Sequence, residues 1–243
     1  MSKVTHIHSN NVFRNVGEVY EETINLDGLG NIAVHTLNHG EYYNHLRKEA
    51  SMFLIVMYGT IKVYMQGKAR IVLERGECIE INQDCVLESL GSGLIISTEY
   101  YKGLFRATLE LPMEGHLRFI DGCTDTVLLP SIVKGMPCLN FLYVPKYTTQ
   151  AKHTHPSIRI GLVYSGVGEC IVNDDCHKLL PGVFFIVHQD TIHQFLTTDN
   201  DLRIFVFHPD SDFGPSDEEH PMINKSLIDG DSVTNLRRIS GSI

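Results

Sequence analysis

The sequence predicts an all-β protein built from two similar barrels, and three observations support this fold class. Short runs of four to eight residues, rich in β-branched side chains, recur between Gly, Asp and Asn residues, which is typical of strands. Long stretches with helical periodicity are missing. The two halves of the chain also resemble each other weakly. Two copies are too few for a solenoid, so the repeat indicates duplicated barrels.

The predicted strands form two groups along the chain. The first group contains Ile32–Leu37, Ser51–Tyr58, Ile61–Gln66, Ala69–Leu73, Cys78–Ile81 and Leu94–Tyr100. The second group contains Leu139–Val144, Arg159–Tyr164, Gly168–Val172, Val183–Val187, His193–Leu196 and Arg203–Phe207. We expect short helices only around Asn44–Ser51 and after Pro221.

The internal repeat defines the expected domains. Met52–Asn82 aligns with Arg159–His188, and in each segment the first strand ends in glycine, at Gly59 and Gly166. The stretch Leu111–Thr126 has the composition of a connector. We therefore predict an N-terminal barrel over residues 1–115, a C-terminal barrel over residues 116–210 and a polar arm or lid over residues 211–243.

Charge and composition exclude several classes of function. The 20 Lys and Arg residues against 29 Asp and Glu residues give a net charge of −9, which disfavours nucleic acid as a partner. No stretch approaches the roughly 20 apolar residues of a membrane helix, and the N-terminus lacks an apolar segment of signal-peptide length. We expect a soluble, cytoplasmic protein without a membrane partner.

The six cysteines also favour a cytoplasmic location. They are scattered through hydrophobic segments and none forms a CxxC pair: Cys78, Cys85, Cys123, Cys138, Cys170 and Cys176. An even number permits a disulfide set, but the scattered positions favour reduced, mostly buried thiols.

The chemistry of the sequence is concentrated in the second half. His153 and His155 are two residues apart, so on a strand their imidazoles lie on the same face. Pro181-Gly182 begins a later strand, and His193 follows eleven residues after that glycine. A pair of histidines at this spacing is a weak signal alone, and the later histidine strengthens it.

The segments HTHPSIRIGLVYSG and PGVFFIVHQDTIH resemble the two motifs of the cupin superfamily. The first motif has two histidines separated by one residue, then an acidic residue and a glycine. The second has a Pro-Gly turn followed at a fixed distance by another histidine. The resemblance covers the second barrel well and the first only in outline, and it implies two tandem cupin (jelly-roll) barrels, a bicupin. Cupins support many functions, so the fold alone does not assign one.

The resemblance implies that His153, His155 and His193 are ligands of one divalent transition metal. Neutral imidazoles suit Fe(II), which we favour, and also Zn, Mn, Ni or Cu. Three protein ligands would leave positions open for substrate or water. The alternative is a barrel whose histidines are packed, hydrogen-bonded core residues.

Arg159 is the one departure from the cupin pattern, since it stands where the family usually has glutamate. A guanidinium stays protonated and cannot ligate a metal. A buried cation beside a metal ion needs a compensating anion, and a substrate carboxylate or phosphate bound bidentately would provide it. We expect Arg159 to be a substrate anchor; the alternative is pairing with an internal acid or an extended position at the rim.

Other candidate site residues are less well marked. Tyr164 and Gln194 are the further candidates for a catalytic role, as general acid or base or as polar contacts, and Tyr147 and His208 are similar but weaker. For each of the four, an ordinary residue of the barrel wall is the simpler interpretation.

The first barrel lacks the motif. Counting back from Gly59, the positions of the two histidines hold Leu46 and Lys48 and the acidic position holds Met52; counting from Gly76, the later histidine becomes Leu87. We expect this barrel to bind no metal and to serve packing or dimerisation.

The resemblance leaves three classes of function open. The three-His site favours a non-haem Fe(II) dioxygenase that acts on a small anionic, carboxylate-bearing substrate. A metal-assisted isomerase or lyase is the second class, and a non-catalytic barrel that binds a small molecule is the third. By analogy with the family we also expect a homodimer.

Overall fold

The computed structural model describes residues 11–26, 28–45, 50–65, 70–216, 219 and 221–233. The strands of the N-terminal half follow one another with short turns. They are β1 (Val12–Asn15), β2 (Glu21–Leu26), β3 (Gly30–Leu37), β4 (Tyr42–His45), β5 (Ser51–Tyr58), β6 (Thr60–Met65), β7 (Ile71–Glu74), β8 (Cys78–Ile81), β9 (Cys85–Ser89), β10 (Ser92–Thr98) and β11 (Arg106–Thr108).

The C-terminal half is built in the same way and adds two short helical segments. Its elements are β12 (Leu117–Arg118), a 3-10 turn (Ile120–Gly122), β13 (Thr124–Leu129), β14 (Cys138–Val144), β15 (Arg159–Gly166), β16 (Gly168–Val172), β17 (Asp175–Leu179), β18 (Val183–Val187), β19 (His193–Leu196), β20 (Leu202–His208), α1 (Pro221–Asn224), β21 (Leu227–Ile228) and β22 (Asp231–Ser232).

Each half forms a large sheet and a small sheet. The N-terminal half has a six-stranded sheet in the order β11-β8-β5-β10-β3-β2 and a four-stranded sheet in the order β4-β9-β6-β7. The C-terminal half has a seven-stranded sheet, β1-β18-β15-β20-β14-β13-β12, and a three-stranded sheet, β17-β16-β19. All pairings in these sheets are antiparallel. The all-β fold class is confirmed.

Three apolar cores hold these sheets together. One core lies within the N-terminal half and includes Leu54 and Ile79. A second lies within the C-terminal half and includes Val163 and Phe185. The third core joins the two large sheets, because it contains residues of both, such as Phe53 of β5 and Phe207 of β20. Successive strand residues therefore point alternately into a barrel and into the contact between barrels.

The two glycines of the sequence repeat occupy equivalent turns. Gly59 has φ of 62° and Gly166 has φ of 89°, a region that favours glycine. A Cβ added to Gly59 would lie 2.6 Å from the Leu90 carbonyl oxygen, and one added to Gly166 would lie 1.9 Å from that of Asp201. The repeated glycines thus allow two chain segments to approach closely at the same point in each half.

Most of the expected strands are present, and the differences lie at the margins. Every predicted run contains a strand, although Gln66 and Ala69 lie outside the described residues. The expected helix around Asn44–Ser51 is wrong at both ends, since β4 includes Asn44 and β5 begins at Ser51, while residues 46–49 are not described. The short helix after Pro221 is α1.

Two segments lie in places that the sequence did not indicate. β1, in the region predicted as N-terminal barrel, pairs with β18 of the C-terminal sheet through Val12 and Ile186. The predicted connector extends to Thr126, but β12 and the start of β13 already belong to the C-terminal sheet. The polar residues of this segment interrupt the alternation of apolar and polar side chains that would indicate a strand, so its composition favours a connector.

All six cysteines are free, and five of them are buried whereas Cys176 is exposed. No helix among the described residues is long and apolar enough to cross a membrane.

Candidate metal centre

The three predicted ligand histidines lie together in the C-terminal half of the chain. His193 begins β19, and His153 forms an isolated antiparallel bridge with it. Each residue of this bridge donates its backbone N–H to the carbonyl of the other, both at 3.0 Å. His155 follows two residues later, and its carbonyl accepts the Asp190 N–H at 2.8 Å. The backbone therefore fixes all three positions before any ligand binds.

The histidine rings are oriented for metal binding. Nδ1 of His153 lies 2.9 Å from the Ala151 carbonyl oxygen, and Nδ1 of His193 lies 2.9 Å from that of Thr191. A carbonyl only accepts, so each Nδ1 carries the proton and each Nε2 is left with a free lone pair. This orientation of a ligand imidazole by a carbonyl is common in metal sites.

The donor set fits a divalent transition metal. One ligand nitrogen from each of His153, His155 and His193 lies within 4.8 Å of the others, and metal–nitrogen bonds of about 2.0–2.1 Å would require the three rings to move closer around a shared ion. Among the residues that the structure describes, this is the group whose geometry suits a metal ion. Three imidazoles without a carboxylate would hold a divalent ion and leave positions open for a ligand.

Burial favours the neutral imidazoles of His155 and His193. Burial lowers the pKa of His155 to about 3, and Arg159 and the other two histidines contribute to this shift. Burial also lowers the pKa of His193 to about 4, against the stabilising hydrogen bond to the Thr191 carbonyl. Only a neutral imidazole can ligate a metal, so both residues are in the required form at neutral pH.

The histidines line a cavity of about 370 Å³, which lies at the small end of the range for ligand pockets, about 300–1,000 Å³. Apolar residues such as Phe185 and Phe195 form part of its wall. The rest of the lining is polar and comes from β13, β14, β15, β20 and the segment after β20: Asp125, Cys138, Asn140, Arg159, His208, Asp210, Ser211 and Asp212.

Arg159 lies in this cavity beside the histidines. Its Nη1 donates to the carbonyls of Ser157 and Ile158 and to the Ser157 hydroxyl, whereas its Nε is buried without a hydrogen-bond partner. Asp210 accepts a hydrogen bond from the Ser157 hydroxyl and favours the charged form of Arg159. Burial opposes this and lowers the guanidinium pKa. The guanidinium thus remains incompletely paired at the cavity wall.

His208 lies next to Arg159 on the neighbouring strand, because Ile160 pairs with Phe207. Burial, Arg159 and His155 hold its pKa well below the usual range, so its ring is neutral.

Tyr164 and Gln194 do not line the cavity. Tyr164 is five positions after Arg159 and faces the core between the barrels, where it contacts Phe141 and Phe205 at ring-centroid distances of 5.9 and 5.8 Å. Gln194 follows His193 directly, so its side chain points to the opposite face of β19. The structure therefore separates both from the three histidines.

Tyr147 is also outside the cavity, since it is 74% exposed and donates a hydrogen bond to Asp199.

The N-terminal barrel has apolar residues at two of the positions that correspond to the motif. Met52 and Leu87 are fully buried in its core, and Leu46 and Lys48 lie outside the described residues.

Sequence reasoning missed several residues of the cavity. Asp125 lies in the predicted connector, Asn140 lies in the predicted strand Leu139–Val144 without a motif around it, and Cys138 lies just before that predicted strand. The alternation of β14 was the available signal: Cys138, Asn140 and Leu142 share the face that lines the cavity.

Comparisons with solved structures identify the fold. A cupin 2 conserved barrel domain protein from Leptotrichia buccalis matches with a TM-score of 0.59 and 12% identity, over 78% of this chain and 88% of that one. Salicylate 1,2-dioxygenase from Pseudaminobacter salicylatoxidans matches with a TM-score of 0.59 and 12% identity, over 86% of this chain and 87% of that one. Protein Ylba from E. coli, of family DUF861, matches with a TM-score of 0.57 and 11% identity, over 83% of this chain and 92% of that one.

The chain therefore has the cupin fold, and its three-His group is a candidate metal site. More narrowly, residues 136–214 match the model of the AraC-like ligand binding domain. This match covers the C-terminal barrel from just before β14 to just beyond β20, including the three histidines. No curated protein is significantly similar to the chain in sequence.

Proposed function

We propose that this protein is a metal-dependent cupin enzyme that acts on a small carboxylate-bearing substrate, and specifically a three-His Fe(II) dioxygenase. The observation that carries the proposal is the convergence of three histidines beside the buried, incompletely paired Arg159. An Fe(II) ion bound there supplies redox chemistry with O₂ and open coordination positions. The chain itself supplies the ligands and the substrate anchor.

The role of Arg159 is to bind and orient the substrate. Its guanidinium faces a cavity lined by a neutral His208, by apolar rings and by Asp125, Asp210 and Asp212, and in such a buried site a charged hydrogen bond is stronger than in water. A carboxylate would satisfy the free Nε and compensate the positive charges of the arginine and the metal ion. Asp210 lies too far away to form a direct ion pair with Arg159 at 4.0 Å or less.

The dioxygenase interpretation is supported by the neighbours in fold. Salicylate 1,2-dioxygenase is among them, and a mutant of that enzyme in complex with gentisate matches with a TM-score of 0.56 and 12% identity, over 79% of this chain and 74% of that one. Salicylate and gentisate are small carboxylates. We extend this substrate class, and not the particular compounds, to the present cavity.

The second candidate is a barrel that binds a small molecule without turnover. The match of residues 136–214 to the AraC-like ligand binding domain favours it. A metal-assisted isomerase or lyase is a third interpretation of the same metal site. The three differ in their need for O₂: only the dioxygenase consumes it, the isomerase or lyase works without it, and the binding barrel gives ligand-dependent stabilisation without product.

We also propose that the protein acts in the cytoplasm as a homodimer with no nucleic-acid or membrane partner. Its net charge of −9 supports the first of these exclusions.

The deciding experiment measures metal content and then O₂ uptake. We expect close to one iron per chain after anaerobic reconstitution, and its loss in the variant His153→Ala/His155→Ala. His39→Ala, at an exposed histidine of the N-terminal half, is the matched control and should retain the metal.

Oxygen consumption that depends on a small carboxylate, tested first with salicylate and gentisate, would support the dioxygenase. Metal retention by the double variant would contradict the ligand assignment. A metal-loaded protein that binds carboxylates but converts none of a broad panel, with or without O₂, would favour the binding barrel.

A further inference from the structure

The cavity wall carries a second unsatisfied polar group besides Arg159. Asn140 is 7% exposed and lines the cavity with Asp125. Its Nδ2 donates to Asp125 Oδ2 at 2.6 Å, whereas its Oδ1 is buried without a hydrogen-bond partner. An unsatisfied buried acceptor is unfavourable because it has lost its hydrogen bonds to water. A ligand that offers a donor to this oxygen would therefore bind with an advantage.

The orientation of the Asn140 amide follows from its neighbour. Burial raises the pKa of Asp125, whereas the hydrogen bonds from Asn140 and from the Thr126 N–H, which Oδ1 accepts at 2.9 Å, favour the ionised form. An ionised carboxylate only accepts hydrogen bonds. The amide must therefore present its NH₂ group to Asp125, which leaves the amide oxygen as the free acceptor. Asp125 acts as a positioning residue and Asn140 as the group that meets the ligand.

The separation of Asn140 from Arg159 suits the two ends of one small molecule. Asn140 and Gly161 both pair with Val206 of β20, so Asn140 and Arg159 are two strands and two residues apart. Strand spacing and rise place their Cα atoms about 12 Å apart. Arg159 Nη1 is held by Ser157 and Ile158, while its free Nε and the Asn140 amide belong to side chains that line one cavity. Acids with four or five carbons are therefore the size to test first.

We propose that Asn140, held by Asp125, selects substrates that carry a hydrogen-bond donor such as a carboxamide at the end opposite the carboxylate. This inference rests on the proposed role of Arg159 as carboxylate anchor. It goes further by assigning the substrate class: a small carboxylic acid with an N–H or O–H donor at its far end.

The test compares matched ligands by calorimetry on the anaerobic, metal-loaded protein. Succinamate and glutaramate end in a carboxamide, and their partners monomethyl succinate and monomethyl glutarate end in an ester that only accepts. We expect at least one amide to bind about 10-fold or more tightly than its ester, because a site built around a donor rejects analogues that lack it. Asn140→Leu should abolish this preference by weakening the amide alone.

Asp125→Asn provides an independent variant, since it frees the Asn140 amide to turn. A turned amide no longer accepts from the carboxamide and can donate to the ester, so we expect the preference to fall at least threefold. Arg159→Met should weaken amide and ester together. Equal binding of amides and esters to the wild type, or a preference that survives in folded Asn140→Leu, would overturn the inference and leave the anchor intact. If no acid binds at millimolar concentration, the anchor and this inference both fall, while metal content tests the three histidines separately.

Discussion

The core between the two large sheets gives a sharp stability prediction, the variant Phe53→Ala. Phe53 is fully buried in β5, and its ring lies edge-on to Phe207 of β20 with centroids 5.1 Å apart. The two rings come from different halves of the chain. Truncating Phe53 therefore removes a contact on which both halves depend.

The expected loss follows from burial and packing. Burying a phenylalanine side chain contributes about 1.5–3 kcal/mol, the aromatic pair adds about 0.5–1.5 kcal/mol, and Phe→Ala changes in cores cost about 3–5 kcal/mol. We expect the free energy of unfolding to fall by about 3–4 kcal/mol. For a chain of this length each kcal/mol lowers Tm by about 2–4 °C, so Tm should fall by about 6–16 °C.

Scanning calorimetry and circular dichroism measure this change. If the shared core couples the two halves, the variant should unfold in one transition at lower temperature. Phe105→Ala is the matched control, because Phe105 is 40% exposed and its loss should cost less than about 1 kcal/mol. Two separated transitions, of which only one moves, would refute the coupling, and a loss below about 1 kcal/mol would refute the packing argument.

Three further predictions concern the cavity, the metal and pH. Gly161→Ala places a Cβ 2.0 Å from the Phe185 ring, so urea unfolding should show a free energy of unfolding lower by about 1–3 kcal/mol. The control Gly17→Ala places its Cβ no closer than 3.3 Å to another atom, so its free energy of unfolding should fall by less. A chelator should lower Tm of the metal-loaded wild type but leave His153→Ala/His155→Ala unchanged; equal shifts would contradict the site. Burial lowers the pKa of His45, so its contribution to stability is complete above the unfolded pKa of about 6.5 and is lost as pH falls toward the folded pKa. His45→Gln should therefore reduce the slope of unfolding free energy between about pH 7 and 5, and an unchanged slope would contradict this assignment.

The sequence predicted the strands better than the surroundings of the site. Runs such as Ser51–Tyr58 are recognisable because β-branched and apolar residues mark a strand buried on both faces. The strand β1, with the sequence VFRN, is as short as many turns. Its partner β18 lies in the other half of the chain, and no local pattern encodes such a pairing.

The three-His group could be predicted, because His153 and His155 are two residues apart and His193 follows at a fixed distance after Pro181-Gly182. The polar wall of the cavity could not be predicted. Asp125 and Asn140 meet through the pairing of β13 with β14, which only the folded chain defines. Tyr164 and Gln194 are candidates only because they lie near Arg159 and His193 in the sequence. The alternation of side chains along a strand places both on the face opposite to the histidines. Tyr164 is an odd number of residues from Arg159, and Gln194 is adjacent to His193.

The pairing of β1 with β18 also determines when the fold can be completed during synthesis. Val12 leaves the ribosome early, but its partner Ile186 is made much later. At about 5–20 residues per second, this interval is on the order of 10–35 s. During this interval β1 has no partner strand in its own sheet. The seven-stranded sheet is complete only when β1, from the start of the chain, pairs with β18.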